Sequence, residues 1–327
     1  MSRSKDKFTV VLNRFLVLVS AGMWSLISAW PHDAHAADLT VERLETRRFA
    51  LSADSSMRIN LPYFDAHGVM QFDDDVILRP PNDACSKVVN VRALLARPRV
   101  DHWQCADGKS YLAGMGAGSK HWARVLELPS GTHHIRLYPI GASADALVMS
   151  DLEVWSPLSG KTQRPAPARQ LTKERSAPKY SFSSSAAYRA AQDDFIVYDA
   201  GSKQLDGKGG LYRLTPVIGD YERLAGTHQD RFAPVEVAEI QLDATGRYLL
   251  LGELSLFRGP NWTRFAVFDL AQRKRVFEER HGEHSIIHEP RIVVGPDGHV
   301  AFSYRDGGQR EMVVVHYRLR SNHGATP

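Results

Sequence analysis

The sequence predicts an all-β protein, and three observations carry that prediction. Apolar residues recur in short runs that alternate or are rich in β-branched and aromatic types, the two-residue period of a strand. Gly, Pro, Asn or Asp bounds most of these runs, as turns require. No long stretch with helical spacing interleaves, which argues against a parallel sheet with crossover helices; "VNVRALLAR" (89–97) suits one short helix. With 327 residues, 43% of them hydrophobic and 24% charged, the chain has the composition of one large or two ordinary globular domains.

The first element is a secretory signal rather than part of the globule. "MSRSKDKFTVVLNR" is basic, residues 15–30 carry no charge, and "PHDAHA" places Ala34 and Ala36 at the small-residue positions of a cleavage site. The rival, an uncleaved anchor, falls short, because a sixteen-residue helix rises only about 24 Å. Cleavage is expected after Ala36, which makes 1–36 the signal peptide and the mature protein periplasmic or secreted, with no membrane span. No cysteine adjoins the cut, so a lipid anchor there is excluded. Removing 1–36 takes four of the 41 basic and two of the 37 acidic side chains, leaving a net charge of +2. Bulk charge then gives no reason to expect a nucleic-acid partner.

Export also decides the chemistry of Cys85 and Cys105, the only cysteines, twenty positions apart. In an oxidising compartment they are expected to form a disulfide.

Residues 37–155 hold the strand candidates "SSMRINL" (55–61), "GVMQF" (68–72), "DVILR" (75–79), "ARVLEL" (123–128) and "HIRLYPI" (134–140). Residues 156–187 follow with four prolines, seven serines and six basic residues against one glutamate, a composition expected of a linker. From 188 to 320 strand signals return and echo one another. "EIQLDATGRYLLLGELS" with "RFAVFDLAQRKRVFEER" runs strand, turn, strand, loop, strand, turn, strand; "EPRIVVGPDGHVAFSYRDGGQREMVVVHYRL" repeats its first three parts. "FIVYDAGSKQLDGKGGLYRLTPVIGDYERLAG" is a worn third copy, and Val267 and Val314 occupy matching positions 47 residues apart.

That period and order resemble blades of the β-propeller superfamily, of the WD40 or TolB-like kind, without the G-H and W-D signatures that would name a family. "WARVLELPSGTHHIRLYPIGASADALVMSDLEVW" (122–155) resembles the final strands of jelly-roll carbohydrate-binding modules. Together these imply a β-sandwich at 37–155, a linker at 156–187, a β-propeller-like domain at 188–320 and a disordered tail at 321–327. The alternative is one six- or seven-bladed propeller.

Among candidate sites, "HGEHSIIHEP" concentrates His281, His284, His288 and Glu289. Gly282 and Pro290 oppose the helix that would converge these side chains on a metal; on an extended chain His284 and His288 can share a face but His281 cannot. Propeller grammar places the stretch in a loop leading to an innermost strand, so the four residues, with Arg258, Trp262 and Arg264, are the candidate ligand contacts. "FDDDV" (72–76) reads as a solvated turn rather than a calcium loop. Asp65, Asp73, Asp75, Glu289 and Asp306 would have to meet in one pocket to serve as glycosidase carboxylates. Trp103, Trp122, Trp155, Trp262 and Tyr111 suit a core more readily than a sugar platform. No Gly-x-Ser-x-Gly elbow, Cys-x-x-Cys pair or phosphate-cradling loop is present.

These observations point to a non-catalytic, cofactor-free binding protein whose partner is another exported or envelope protein. The competing expectation is a carbohydrate-binding or carbohydrate-active protein with a glycan partner.

Overall fold

The computed structural model of the chain describes residues 39–50, 62–65, 67–72, 84–87, 100–115, 123–127, 139–143, 146–156, 159, 161–166, 185–201, 205–215, 217, 219–226, 229–230, 233–234, 236–255, 262–282, 287–306, 308 and 310–321. Apart from a 3-10 turn at Pro296–Gly298, the regular elements among them are strands. Five four-stranded antiparallel sheets are present among the described residues. The first comprises β4 (Cys85–Lys87), β5 (Val100–Cys105), β6 (Ser110–Met115) and β7 (Ala123–Glu127); the second β8 (Pro139–Ala142), β9 (Leu147–Met149), β10 (Val154–Trp155) and β11 (Thr162–Arg164). The third holds β12 (Ala186–Arg189), β13 (Asp194–Asp199), β14 (Gly210–Leu214) and β15 (Tyr221–Gly226). The fourth holds β18 (Glu236–Leu242), β19 (Tyr248–Ser255), β20 (Trp262–Asp269) and β21 (Lys274–His281). A closing sheet takes β22 (Ile287–Val294), β23 (His299–Asp306) and β24 (Glu311–Ser321) and adds β1 (Leu39–Ala50) as its outer strand. Two-stranded hairpins β2–β3 (Pro62–Phe64, Met70–Phe72) and β16–β17 (Gln229–Asp230, Ala233–Pro234) are not paired with any of these sheets.

The second, third, fourth and closing sheets stack face to face in chain order. Val148, Val154, Phe195 and Val197 share one core, Ile196, Leu211, Ile240 and Ala266 the next, and Phe265, Val267, Phe302 and Val315 the third. The alternation explains the sequence pattern. Phe195 and Val197 point into one core while Ile196 points into the next, so β13, β19 and β20 are buried along their whole length. A strand with apolar neighbours on both faces reads as a continuous apolar run. Outer strand β21, by contrast, is partly exposed and charged. The leading strands β8, β12, β18 and β22 touch in succession, the arrangement of a propeller.

All-β architecture and the echoed blades hold. Val267 and Val314 are both fully buried on the third strand of their sheets. Three boundaries differ from expectation. Leu39–Ala50, placed by sequence in the N-terminal sandwich, pairs instead with β24, from Leu39 opposite Ser321 to Ala50 opposite Glu311. The "EPRIVVG…" copy carries only three strands, and β1 completes it. The second sheet packs on the third, across the expected boundary at 155, and its strands follow chain order as a meander, not the sheet-to-sheet alternation of a jelly roll. Within the expected linker, Thr162–Arg164 is strand β11, paired with β10; 167–184 lie outside the described residues. So do the signal segment 1–36, the short helix expected at 89–97, the strand candidates at 55–61 and 75–79, and all of the tail but Ser321.

Cys85 and Cys105 face each other across β4 and β5 and are bonded. Among the described residues no helix is long and apolar enough to cross a membrane.

Candidate functional site

β20 leaves the β19 connection at Trp262, and β21 ends at His281 on the same end of the fourth sheet; Trp262 pairs with Ser255 and Thr263 with His281. The structure brings Trp262, Arg264 and His281 to one end of one sheet, but on opposite faces. Trp262 and Arg264 alternate with Thr263 and share the face of Ala266, which packs toward the third sheet. His281 sits with Phe302 and Tyr304 on the side of the closing sheet, ring centroids 5.5 and 5.7 Å away.

All three are buried rather than lining an open loop: 6%, 0% and 7% exposed. Charge pairing is the reason for Arg264. Its Nε donates to Glu253 Oε2 at 2.5 Å, while Arg275 donates to both Glu253 oxygens at 2.7 and 2.8 Å. Glu278 accepts from Arg275 and stands 3.1 Å from Arg264 Nη1. The buried Arg264–Glu253 pair is thus extended toward the surface by half-buried Arg275 and exposed Glu278, and its ions offset one another. Neither Nη of Arg264 completes a hydrogen bond. Its guanidinium instead lies 5.0 Å from the Trp262 ring centroid, and that of exposed Arg280, opposite Arg264 on β21, lies 4.7 Å from the same ring. One indole therefore carries two cations.

His281 Nε2 is 2.8 Å from Tyr317 Oη, which donates to Glu279 at 3.0 Å; the tyrosine oxygen thus accepts from a neutral, Nε2-protonated histidine. Burial pushes the imidazole down to about 4, against the pull of Glu279. A ring engaged in this way is a core histidine. Arg258 and His284 lie outside the described residues, and of His288 and Glu289 only the backbone, on β22, is described. Among the described residues no three metal-ligating side chains gather.

A second polar cluster went unremarked in the sequence. Glu239 on β18 accepts from Gln241 Nε2 at 2.9 Å and from Arg291 Nη1 of β22 at 3.2 Å, between leading strands of successive sheets. Burial pushes the Glu239 carboxyl up to about 7 although Arg291 and Gln241 pull it down. A group titrating there suits proton transfer, but both oxygens are already engaged, which makes it a tie between sheets. The available signal was Glu239 with Gln241 inside the strand-type run "VEVAEIQL".

Of the glycosidase set, the two members whose side chains are described, Asp65 and Asp306, do not come together. Asp65 caps the β2–β3 turn, accepting from the backbone of His67 and Val69, and Gly68 of that turn abuts His299 at the start of β23. Asp306 ends the same strand, seven residues on from His299 and therefore about 23 Å distant, beyond the reach of paired carboxylates. Asp73 and Asp75 lie outside the described residues. Trp155 is wholly buried and belongs to the core, and Tyr111 is 6% exposed; Trp122 lies outside the described residues.

No protein-family model matches the chain, and no curated protein matches it. Solved structures resemble it distantly. The extracellular domain of a hybrid two-component system from B. thetaiotaomicron aligns with 88% of this chain at 11% identity and a TM-score of 0.35. The tail fiber of Staphylococcus aureus phage P68 aligns with 85% at 7% identity and 0.31, and TolB from Acinetobacter baumannii with 74% at 13% identity and 0.27. The chain spans 34%, 53% and 67% of those three chains.

Proposed function

We propose that this is an exported, periplasmic or secreted, non-catalytic binding protein that engages another exported or envelope protein at the Trp262–Arg280 end of the fourth sheet. One observation carries the reading: the guanidinium of exposed Arg280 lies 4.7 Å from the centre of the buried Trp262 indole, which also has the guanidinium of buried Arg264 5.0 Å away. A guanidinium held over an aromatic ring loses little freedom on binding, and tryptophan and arginine are enriched at the energetic centres of protein interfaces. The connections β19–β20 and β21–β22 emerge at this end, where a rigid β scaffold usually carries its contacts.

The test is affinity capture from the native envelope with wild type and Arg280→Glu, followed by mass spectrometry. A partner recovered with wild type and reduced at least about tenfold with the variant, at unchanged melting temperature, supports the reading. Equal recovery overturns it. Glycan binding abolished by Trp103→Ala would favour the carbohydrate reading instead.

A further inference from the structure

Three strands of the closing sheet carry a chain of titratable contacts. Glu45 on β1 pairs with His316 on β24 directly after a bulge at Arg43–Glu45, with Glu45 Oε1 3.6 Å from His316 Nδ1. His316 Nε2 is 2.8 Å from Nδ1 of His299 on β23. Both rings support the β2–β3 hairpin: the Phe64 ring lies 5.1 Å from His316 and 5.8 Å from His299. The fit is close. A Cβ on Gly68, which holds φ +74°, would come within 2.7 Å of the His299 ring, and one on Gly295 within 2.4 Å of Phe64. Below the hairpin, Phe64 and Met70 share a small core with Val293, Ala301 and Val314.

Two imidazole nitrogens at 2.8 Å need one N–H and one lone pair between them. With His316 Nδ1–H turned to Glu45, its Nε2 accepts from His299 Nδ1–H and both rings are neutral. A first proton is accommodated either on His299 Nε2, with Nδ1–H still donating to His316, or on His316 Nε2, with His299 shifting its own proton from Nδ1 to Nε2 so that Nδ1 accepts. A second has no place, because two N–H groups would face each other. The surroundings add little relief. Arg47 holds both oxygens of Glu45, Arg318 stands beside His299, and only Asp297 opposes it from the turn. The hairpin's own Asp65 is committed to the backbone of His67 and Val69 and to Gln71.

We infer that the Glu45–His316–His299 chain is an acid-operated latch, holding the β2–β3 hairpin on the closing sheet while the two imidazoles share a hydrogen bond and releasing it when both are protonated. Burial first, then Arg318 for His299 and His299 for His316, holds both rings below the usual imidazole range, while Asp297 and Glu45 pull upward. An unfolded histidine takes its proton near pH 6.5, so the latch contributes fully above that value and is lost as pH falls below it.

Hydrogen exchange on the intact chain, corrected for intrinsic rates, tests this at pH 7.5 and 5.0. Amides of 63–65 and 67–72 should exchange at least about tenfold faster at pH 5.0 in wild type, a change of about one pK unit of coupling, while β18–β21 keep their protection. His299→Gln, whose amide can donate to His316 but takes no proton, should retain hairpin protection at pH 5.0. Unchanged protection in wild type, or equal loss in wild type and variant, overturns the latch. Should the variant melt lower than wild type at pH 7.5, an NMR titration of wild-type histidines decides. Two coupled steps for His299 and His316 are expected, and two independent single steps near pH 6.5 overturn it.

Discussion

The fourth sheet and the closing sheet begin from the same strand–turn–strand text and end differently. The fourth is written continuously: β20 turns into β21 with Asp269 accepting from the Ala271 and Gln272 N–H groups. In the closing sheet the matching outer strand is β1, from the far end of the described chain, held by its ladder and by side-chain ties from Arg43 to Glu279, Arg48 to Glu311 and Glu42 to Arg320. A local outer strand costs little loop entropy; a distant one costs more but joins both ends of the described chain in one sheet and covers an edge that would otherwise offer unpaired N–H and C=O groups. Equivalent positions thus differ in what they report, local stability in one sheet and long-range closure in the other.

Deleting Leu39–Ala50 should break the comparison most severely. Loss of the single cooperative melting transition in circular dichroism is expected, with partial recovery when the peptide is supplied in trans; an unchanged transition would show that closure contributes nothing. Phe265→Ala, which empties a site stacked 4.6 Å from Tyr317 between the two sheets, should cost about 3–5 kcal/mol in urea unfolding. Glu253→Ala strands the buried Arg264 and should cost about 3 kcal/mol, measured the same way.

The histidine between the sheets sharpens the comparison through pH. The folded value of His281, about 4, lies below the ordinary 6.5. Its contribution is therefore complete above pH 6.5 and falls as pH drops toward 4, by at most about 1.4 kcal/mol per pH unit. His281→Leu should flatten that acid limb in melts between pH 7 and 4. The smallest effect belongs to closure's surface ties: Arg43→Ala, on a pair 47% and 26% exposed, should cost under about 1 kcal/mol and less at high salt.

Strands such as "FIVYD" and "RFAVFDL" were legible because burial on both faces leaves a continuous apolar run. The charged "TVERLETRRFA" was not, since an outer strand exposed along one face resembles a solvated segment. Trp262, Arg264 and His281 were singled out for their residue types, but alternation sent the first two and the third to opposite cores. Glu239 and Arg291 were missed because their pairing spans 52 positions and two sheets.

By itself the sequence determined the strand class, the repeat and the single possible cysteine pair, because each depends on period, composition or count. Tertiary structure decided which strand finishes the closing sheet, which polar side chains are buried in pairs and which histidines meet, because those depend on neighbours brought together from distant parts of the chain.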